Sequence, residues 1–182
     1  MAELEIDNIN DKLNLEQYKA VCHILTIHAQ NKKRYDEKIN EIVQMKSRMD
    51  ILTDGGDGTS KAERYLQEYE KFSKTPLAQM VSIVESAFNH LKFIIDDDGY
   101  TERLICAIVD SCKDIGKNKY RLVNEFYKLG LSHRSFARQK RMIVEDIAVR
   151  LGYIDLTDNI EKYWKKAQVS ILNEVNFYKK IS

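Results

Sequence analysis

The chain has 182 residues, of which 43% are hydrophobic and 31% charged, and its formal net charge is +1. This composition predicts a globular chain with one hydrophobic core, and a single proline with only seven glycines argues against an all-β fold. The acidic start MAELEIDNIND lacks the apolar core of a secretory signal, and no run of about 18 apolar residues follows it. We therefore expect a cytoplasmic protein that does not enter a membrane.

The periodicity of apolar residues predicts an all-α protein of about seven helices, with no alternating strand pattern. Asn14 and Gln17 form a capping-box pattern that opens the first of these helices. The polar stretch at residues 30–38 leaves two alternatives open, one long helix or two helices joined at a bend. The sequence TDGGDGT at residues 53–59 predicts a loop, because paired glycines between aspartates do not continue a helix.

Three further helix starts are predicted by capping residues. Ser60 with Glu63 forms a second capping-box pattern, Thr75 precedes a proline at a first helical position, and Thr101 follows the acidic sequence DDDG. Near the end of the chain, Gly152 is expected to cap a helix in the left-handed conformation, and Thr157 or Asp158 to open a last one.

Charge is unevenly distributed along these elements. Residues 53–116 contain 7 Lys/Arg against 12 Asp/Glu, whereas residues 117–150 contain 9 against 3. A locally uncompensated basic region predicts a polyanionic partner.

We therefore divide the chain into four regions that we expect to pack as one body. They are an N-terminal helical arm (1–52), an acidic helical middle (53–116), a helix-turn-helix (117–152) and a C-terminal helix (153–182). The apolar side chains near the end of the arm are predicted to form either a dimer seam or the attachment of the arm to its own body. These side chains are Ile39, Ile42, Met49 and Leu52.

Residues 119–151 have the form of a helix-turn-helix. Gly130 permits the turn, Leu131 fills it and Ser132 caps the second helix. The apolar residues of both helices are expected to face inward: Leu122, Val123, Phe126 and Leu129 in the first, and Phe136, Ile143, Ile147 and Leu151 in the second. The alternative is an ordinary pair of helices with a solvated basic face.

The early part of a recognition helix reaches base edges, and cations beside it hold phosphates. We therefore predict a surface that binds double-stranded DNA, with no catalytic residue, metal or cofactor. The predicted nucleic-acid-binding residues are His133, Arg134, Ser135, Arg138, Lys140 and Arg141, with Lys117, Lys119 and Arg121 as outlying phosphate contacts.

The sequence RSFARQKRMIVEDIAVRLG, residues 134–152, resembles the C-terminal signature of the ArpU/RinA-type phage transcriptional activators. TSKAE, residues 59–63, is similar to a second landmark of that family. The resemblance implies a helix-turn-helix like the promoter-reading part of sigma factors. It also implies regulation of late or lysis genes of a mobile element, with promoter DNA and RNA polymerase as partners.

The long arm and the 30 residues after Gly152 lie outside the family pattern. They leave an alternative open, an anti-CRISPR protein that inhibits a type II effector nuclease by binding the nuclease, its nucleic acid or both. A homodimer would suit a DNA reader that needs paired half-sites.

No Walker sequence, dinucleotide-binding glycine pattern or GxSxG elbow is present, so we expect no enzyme. The odd number of cysteines without CxxC spacing predicts that Cys22, Cys106 and Cys112 are buried free thiols.

Overall fold

A computed structural model describes residues 13–51, 61–95, 97–113 and 128–155 of the chain. Within these ranges every regular element is an α-helix, which confirms the predicted all-α class. The helices are α1 (Leu15–Ile51), α2 (Lys61–Ser73), α3 (Pro76–Ile95), α4 (Asp98–Lys113) and α5 (His133–Arg150). The predicted loop at 53–59 and the predicted helices before Lys128 and after residue 157 lie outside the described residues, so the count of seven stays a prediction.

Helix α1 is continuous over its 37 residues, which decides between the two alternatives that the polar stretch left open. Ion pairs along its surface accompany this stretch, such as Lys32 with Asp36 at 2.6 Å and Lys38 with Glu41 at 2.7 Å. Oppositely charged residues three or four positions apart stabilise a helix by about 0.2–0.5 kcal/mol per pair. The polar centre is therefore compatible with an unbroken helix.

Local capping chemistry starts α1 and α3 as the sequence predicts. The Asn14 amide donates to Gln17 Oε1 at 3.1 Å while the Gln17 amide donates to Asn14 Oδ1 at 2.9 Å, which is a reciprocal capping box. The Thr75 hydroxyl accepts from the Ala78 amide at 3.3 Å, with Pro76 at the first helical position.

The predicted start of α4 at Thr101 is wrong. Asp97 caps this helix instead, because its carboxylate accepts the Tyr100 amide at 3.0 Å and the helix begins at Asp98. Thr101 lies inside the first turn, fully buried, and its hydroxyl donates to the Asp97 carbonyl oxygen at 2.7 Å. A hydroxyl that bonds back to its own turn can be buried without a capping role.

The chain divides into two compact units. The larger one comprises Met1–Thr26 with Ile83–Ser182, and the smaller one comprises Ile27–Ser82. Helices α1 and α3 each contribute residues to both units. The four predicted regions are a different division of the chain, and their boundaries stay predictions.

In the smaller unit, Ile42, Phe72 and Ala78 form a buried cluster to which Tyr35 and Ile39 add partly buried surface. The Tyr35 and Phe72 ring centroids lie 5.3 Å apart. Ile39 and Ile42 are therefore used to pack α1 against α2 and α3 of the same chain. The other two residues of the predicted dimer seam, Met49 and Leu52, have no described side chains.

In the larger unit, three helices each bury one apolar face. They are the start of α1, the second half of α3, and the whole of α4. This unit also buries most of α5, whose buried apolar residues include Phe136, Met142, Ile143, Val144, Ile147 and Ala148. Among the described residues, no helix is long and apolar enough to cross a membrane.

Candidate nucleic-acid interface

The turn that leads into α5 has the predicted chemistry. Gly130 has a φ of +66°, a conformation that costs residues with a Cβ about 1–2 kcal/mol. Leu129 and Leu131, on either side of it, are both buried. Ser132 is the N-cap of α5, and its hydroxyl accepts the Ser135 amide at 3.1 Å. The turn is thus fixed by its backbone conformation, two apolar anchors and a cap.

The other end of α5 is terminated by Gly152, as predicted. Gly152 has a φ of +74°, and the amides of Gly152 and Tyr153 donate to the carbonyl oxygens of Val149 at 3.0 Å and Ala148 at 2.8 Å. This pair of bonds is a Schellman motif. Both ends of α5 are therefore set by residues that the sequence identifies.

The two halves of α5 differ in exposure. Residues 142–148 are buried without interruption, which is about two full turns and so the whole circumference of the helix. By contrast, His133 and Arg134 are exposed, while Arg138, Lys140 and Arg141 are half-buried. The larger unit therefore holds the second half of the helix on all sides and leaves the basic first half at its surface.

Polar contacts also hold the buried half in place. Asp146 Oδ2 lies 3.0 Å from His90 Nδ1 on α3, and Asp146 Oδ1 accepts from Arg150 Nε at 2.8 Å. Burial alone would raise the pKa of the Asp146 carboxyl, but its hydrogen bonds to His90 and Arg150 outweigh burial and bring the pKa below its ordinary value. Asp146 is therefore an ionised link between α3 and α5.

Three of the predicted binding residues lie where the sequence places them. His133 and Arg134 are in the first turn of α5, which contains no acidic residue. Arg138 follows Arg134 by four residues and so lies on the same stripe of the helix. Positive side chains at a helix N-terminus add to the positive end of the helix dipole, a combination that attracts anions.

Ser135 does not lie on the outer side, contrary to the prediction. It is 9% exposed, and its hydroxyl accepts from the Ser132 hydroxyl at 2.9 Å. As part of the cap, it faces the turn and not the solvent. The helical stripe at positions 135, 139 and 142 is a buried one.

Lys140 and Arg141 also differ from the prediction that they face outward toward nucleic acid. Lys140 Nζ lies 3.5 Å from the Ser111 carbonyl oxygen on α4 and 5.8 Å from the centroid of the Tyr18 ring on α1. Arg141 Nε donates at 2.7 Å to Glu145, whose side chain is buried. Both positive charges are therefore engaged within the larger unit, and the remaining predicted contacts, Lys117, Lys119 and Arg121, lie outside the described residues.

A basic groove on the larger unit is not among the features predicted from the sequence. It has a volume of about 460 Å³ and is lined by Lys19, His23, Thr26, Cys112 and Lys113. Three of these residues follow one another at helical spacing on α1, which is a visible pattern. Their proximity to the end of α4 depends on tertiary packing and has no local signal.

No three His, Cys, Asp or Glu side chains within the described ranges are close enough together to hold a metal ion.

Comparison of the chain with protein-family models, curated proteins and solved structures gives no match. The resemblance to the ArpU/RinA-type activators therefore stays a prediction from the sequence motif.

Proposed function

We propose that this chain is a non-enzymatic double-stranded DNA-binding protein of a phage or mobile element that regulates transcription. The observation that supports the proposal is the asymmetry of α5, whose second half is enclosed by the larger unit while its first half carries cations at the surface. A recognition element needs this combination, because contacts to bases and phosphates require side chains that are both exposed and held in a fixed direction.

The proposed contacts are assigned unequally among the cations. Arg134 is exposed and has no ion pair with a described residue, so it is the first candidate for contact with a base or phosphate. Arg138 and His133 continue this surface, whereas Lys140 and Arg141 stabilise the larger unit and support the interface indirectly. Lys117, Lys119 and Arg121 stay in the proposal as outlying phosphate contacts.

The rest of the proposed helix-turn-helix follows from the sequence. Residues 119–129 are proposed as its first helix and the region after residue 157 as one additional helix, which together with α1–α5 would make seven. Leu129 and Leu131 support the first part, since their burial beside Gly130 is what a tight turn between two packed helices requires.

Selection on random duplexes tests the proposal. The full chain is immobilised, bound duplexes are amplified through several rounds, and the selected sequence is compared with a scrambled duplex of the same length. A regulator should prefer the selected sequence by at least about a thousandfold. Equal, salt-sensitive binding to both duplexes would contradict sequence-specific recognition.

The alternative function, inhibition of a type II CRISPR nuclease, needs a surface that docks on a protein. Phe93 on α3, in the larger unit, is 86% exposed, and we propose it as a contact of that surface. Capture of a nuclease from an extract by the parent chain but not by a Phe93→Ser variant, together with no selected DNA sequence, would favour this alternative.

A further inference from the structure

Two cysteines from distant parts of the sequence meet inside the larger unit. Cys22 on α1 and Cys112 on α4 are both buried, and both are free thiols. Cys112 borders a groove together with Lys19, His23 and Thr26, the α1 residues on either side of Cys22. The third cysteine, Cys106, is also free but exposed, which differs from the prediction that all three are buried.

Contacts of Lys140 support this placement independently. Its ammonium group lies 5.8 Å from the Tyr18 ring centroid and 3.5 Å from the Ser111 carbonyl oxygen. Tyr18 is one helical turn before Cys22, and Ser111 directly precedes Cys112. Lys140 therefore joins the same turns of α1 and α4 that carry the two thiols, and it places a positive charge beside them.

The pKa values of the two thiols are shifted in opposite directions. The Cys112 thiol lowers the pKa of the Cys22 thiol, with Lys140 and Tyr18 acting in the same direction against the effect of burial. The Cys22 sulfur and burial raise the pKa of the Cys112 thiol. The Lys140 ammonium favours negative charge on the nearby Cys22 sulfur, and a thiolate is the nucleophile in sulfur chemistry.

We propose that Cys22 and Cys112 are a redox-active pair that forms a reversible disulfide when the protein meets a hydroperoxide. The Cys22 thiolate attacks one oxygen of hydrogen peroxide, so that an S–O bond forms, the O–O bond breaks and hydroxide leaves, which becomes water with the proton that the Cys22 thiol released. The Cys112 sulfur then attacks the sulfenic sulfur, so that the S–S bond forms and the S–O bond breaks. The Cys112 proton leaves with the second oxygen. With hydrogen peroxide, two thiols lose two electrons and the peroxide is reduced to two waters.

The basic groove gives a small oxidant a route to the pair. Cys112 lines this groove, whereas Cys22, which directly precedes the lining residue His23, is fully buried. A hydroperoxide is small and uncharged. It can therefore enter the groove between Lys19, His23 and Lys113 without a dedicated binding site. A local opening of the groove brings it to Cys22.

Peptide mapping by mass spectrometry tests the proposal directly. The reduced full chain is treated with hydrogen peroxide at neutral pH, free thiols are alkylated under denaturing conditions, and the digest is analysed without reduction. We expect a linked peptide pair that joins Cys22 to Cys112 and that dithiothreitol separates. A Cys106→Ser variant should give the same link at the same rate.

Two further variants separate the proposed chemistry from a structural role. Cys112→Ser should leave Cys22 as a sulfenic acid that reacts with dimedone. Lys140→Met should slow formation of the link several-fold at neutral pH and less at high pH, where the thiolate forms without help. The proposal is overturned if both thiols of the unsubstituted chain remain alkylatable while Cys106 is oxidised. This mapping of the unsubstituted chain decides the matter even if a variant does not fold.

Discussion

Gln139 is the most unusual buried residue of α5, because it is polar and completely inaccessible to solvent. Neither its amide oxygen nor its amide nitrogen has a hydrogen-bond partner among the described residues. A buried polar group without a partner costs about 1–3 kcal/mol of stability. The Gln139 side chain therefore fills space in the core, but its unpartnered amide lowers the stability of the fold.

Replacing Gln139 with Met should consequently raise the free energy of unfolding by about 1–2 kcal/mol, since Met has a similar volume and no amide to desolvate. Urea denaturation followed by circular dichroism measures the change. Gln79→Met on α3 is the matched control, because Gln79 is exposed and its replacement should change stability by less than about 0.5 kcal/mol. Destabilisation by Gln139→Met would mean that the amide has a stabilising partner.

Asp146 also contributes to the free energy of unfolding, and its contribution depends on pH. Because the folded protein holds the pKa of this carboxyl below its ordinary value of 3.8, the stabilisation is complete above that value and is lost as pH falls through the lowered pKa. Asp146→Asn should cost about 1–3 kcal/mol at neutral pH, and the difference from the parent should shrink below about pH 4.

Denaturation curves of both proteins between neutral pH and strongly acidic pH check this expectation. Asp36→Asn is the control, because Asp36 pairs with Lys32 at an exposed site and the pair should contribute less than about 1 kcal/mol. A difference between parent and Asp146→Asn that stays constant into the acidic range would contradict the assigned role of the carboxylate.

At the scale of secondary-structure elements, two glycines should respond oppositely to the same substitution. Gly130→Ala should destabilise the protein by about 1–2 kcal/mol, since its φ of +66° is unfavourable for any residue with a Cβ. Gly99 lies in the first turn of α4, and a Cβ there would meet only Asp97 Oδ1, at 3.9 Å. Gly99→Ala should therefore stabilise the protein by about 0.5–1 kcal/mol.

Thermal unfolding of both glycine variants checks the opposite signs in one experiment. If Gly130→Ala were as stable as the parent, the turn before α5 would have to adopt another backbone conformation. That result would remove the geometric basis for the proposed helix-turn-helix.

The helix ends also show which features were predictable from the sequence. Asn14, Thr75, Ser132 and Gly152 act as predicted, because capping depends on residues only a few positions away. The start of α4 was misassigned because Asp97 and Thr101 both offer an oxygen near a free amide, and tertiary burial of Thr101 decides between them.

The candidate site was predictable only in part, for the same reason. Charge and spacing identified the stripe of Arg134 and Arg138, but not the inward roles of Ser135, Lys140 and Arg141. The role of Ser135 depends on Ser132 and that of Arg141 on Glu145, both at helical spacing. The role of Lys140 depends on Ser111 and Tyr18, which only the tertiary fold brings close to it.

At the scale of the whole molecule, the larger unit encloses residues 142–148 of α5 and exposes its basic start. The first half of this helix therefore presents cations from a rigid support. If this surface binds duplex DNA as proposed, the salt dependence of the affinity should report how many phosphates it neutralises. The central claim is that Arg134 and Arg138 form this surface.

Fluorescence anisotropy with the selected duplex at several salt concentrations tests that claim most directly. An Arg134→Ala/Arg138→Ala variant is compared with the parent and with Lys33→Ala/Lys71→Ala, which removes the same charge from exposed sites of the smaller unit. We predict that the arginine variant stays folded and binds at least about tenfold more weakly than the parent. Its slope of log affinity against log salt concentration should be smaller in magnitude by about two, whereas the lysine control should bind like the parent. Parent-like affinity and salt slope in the folded arginine variant would contradict the claim.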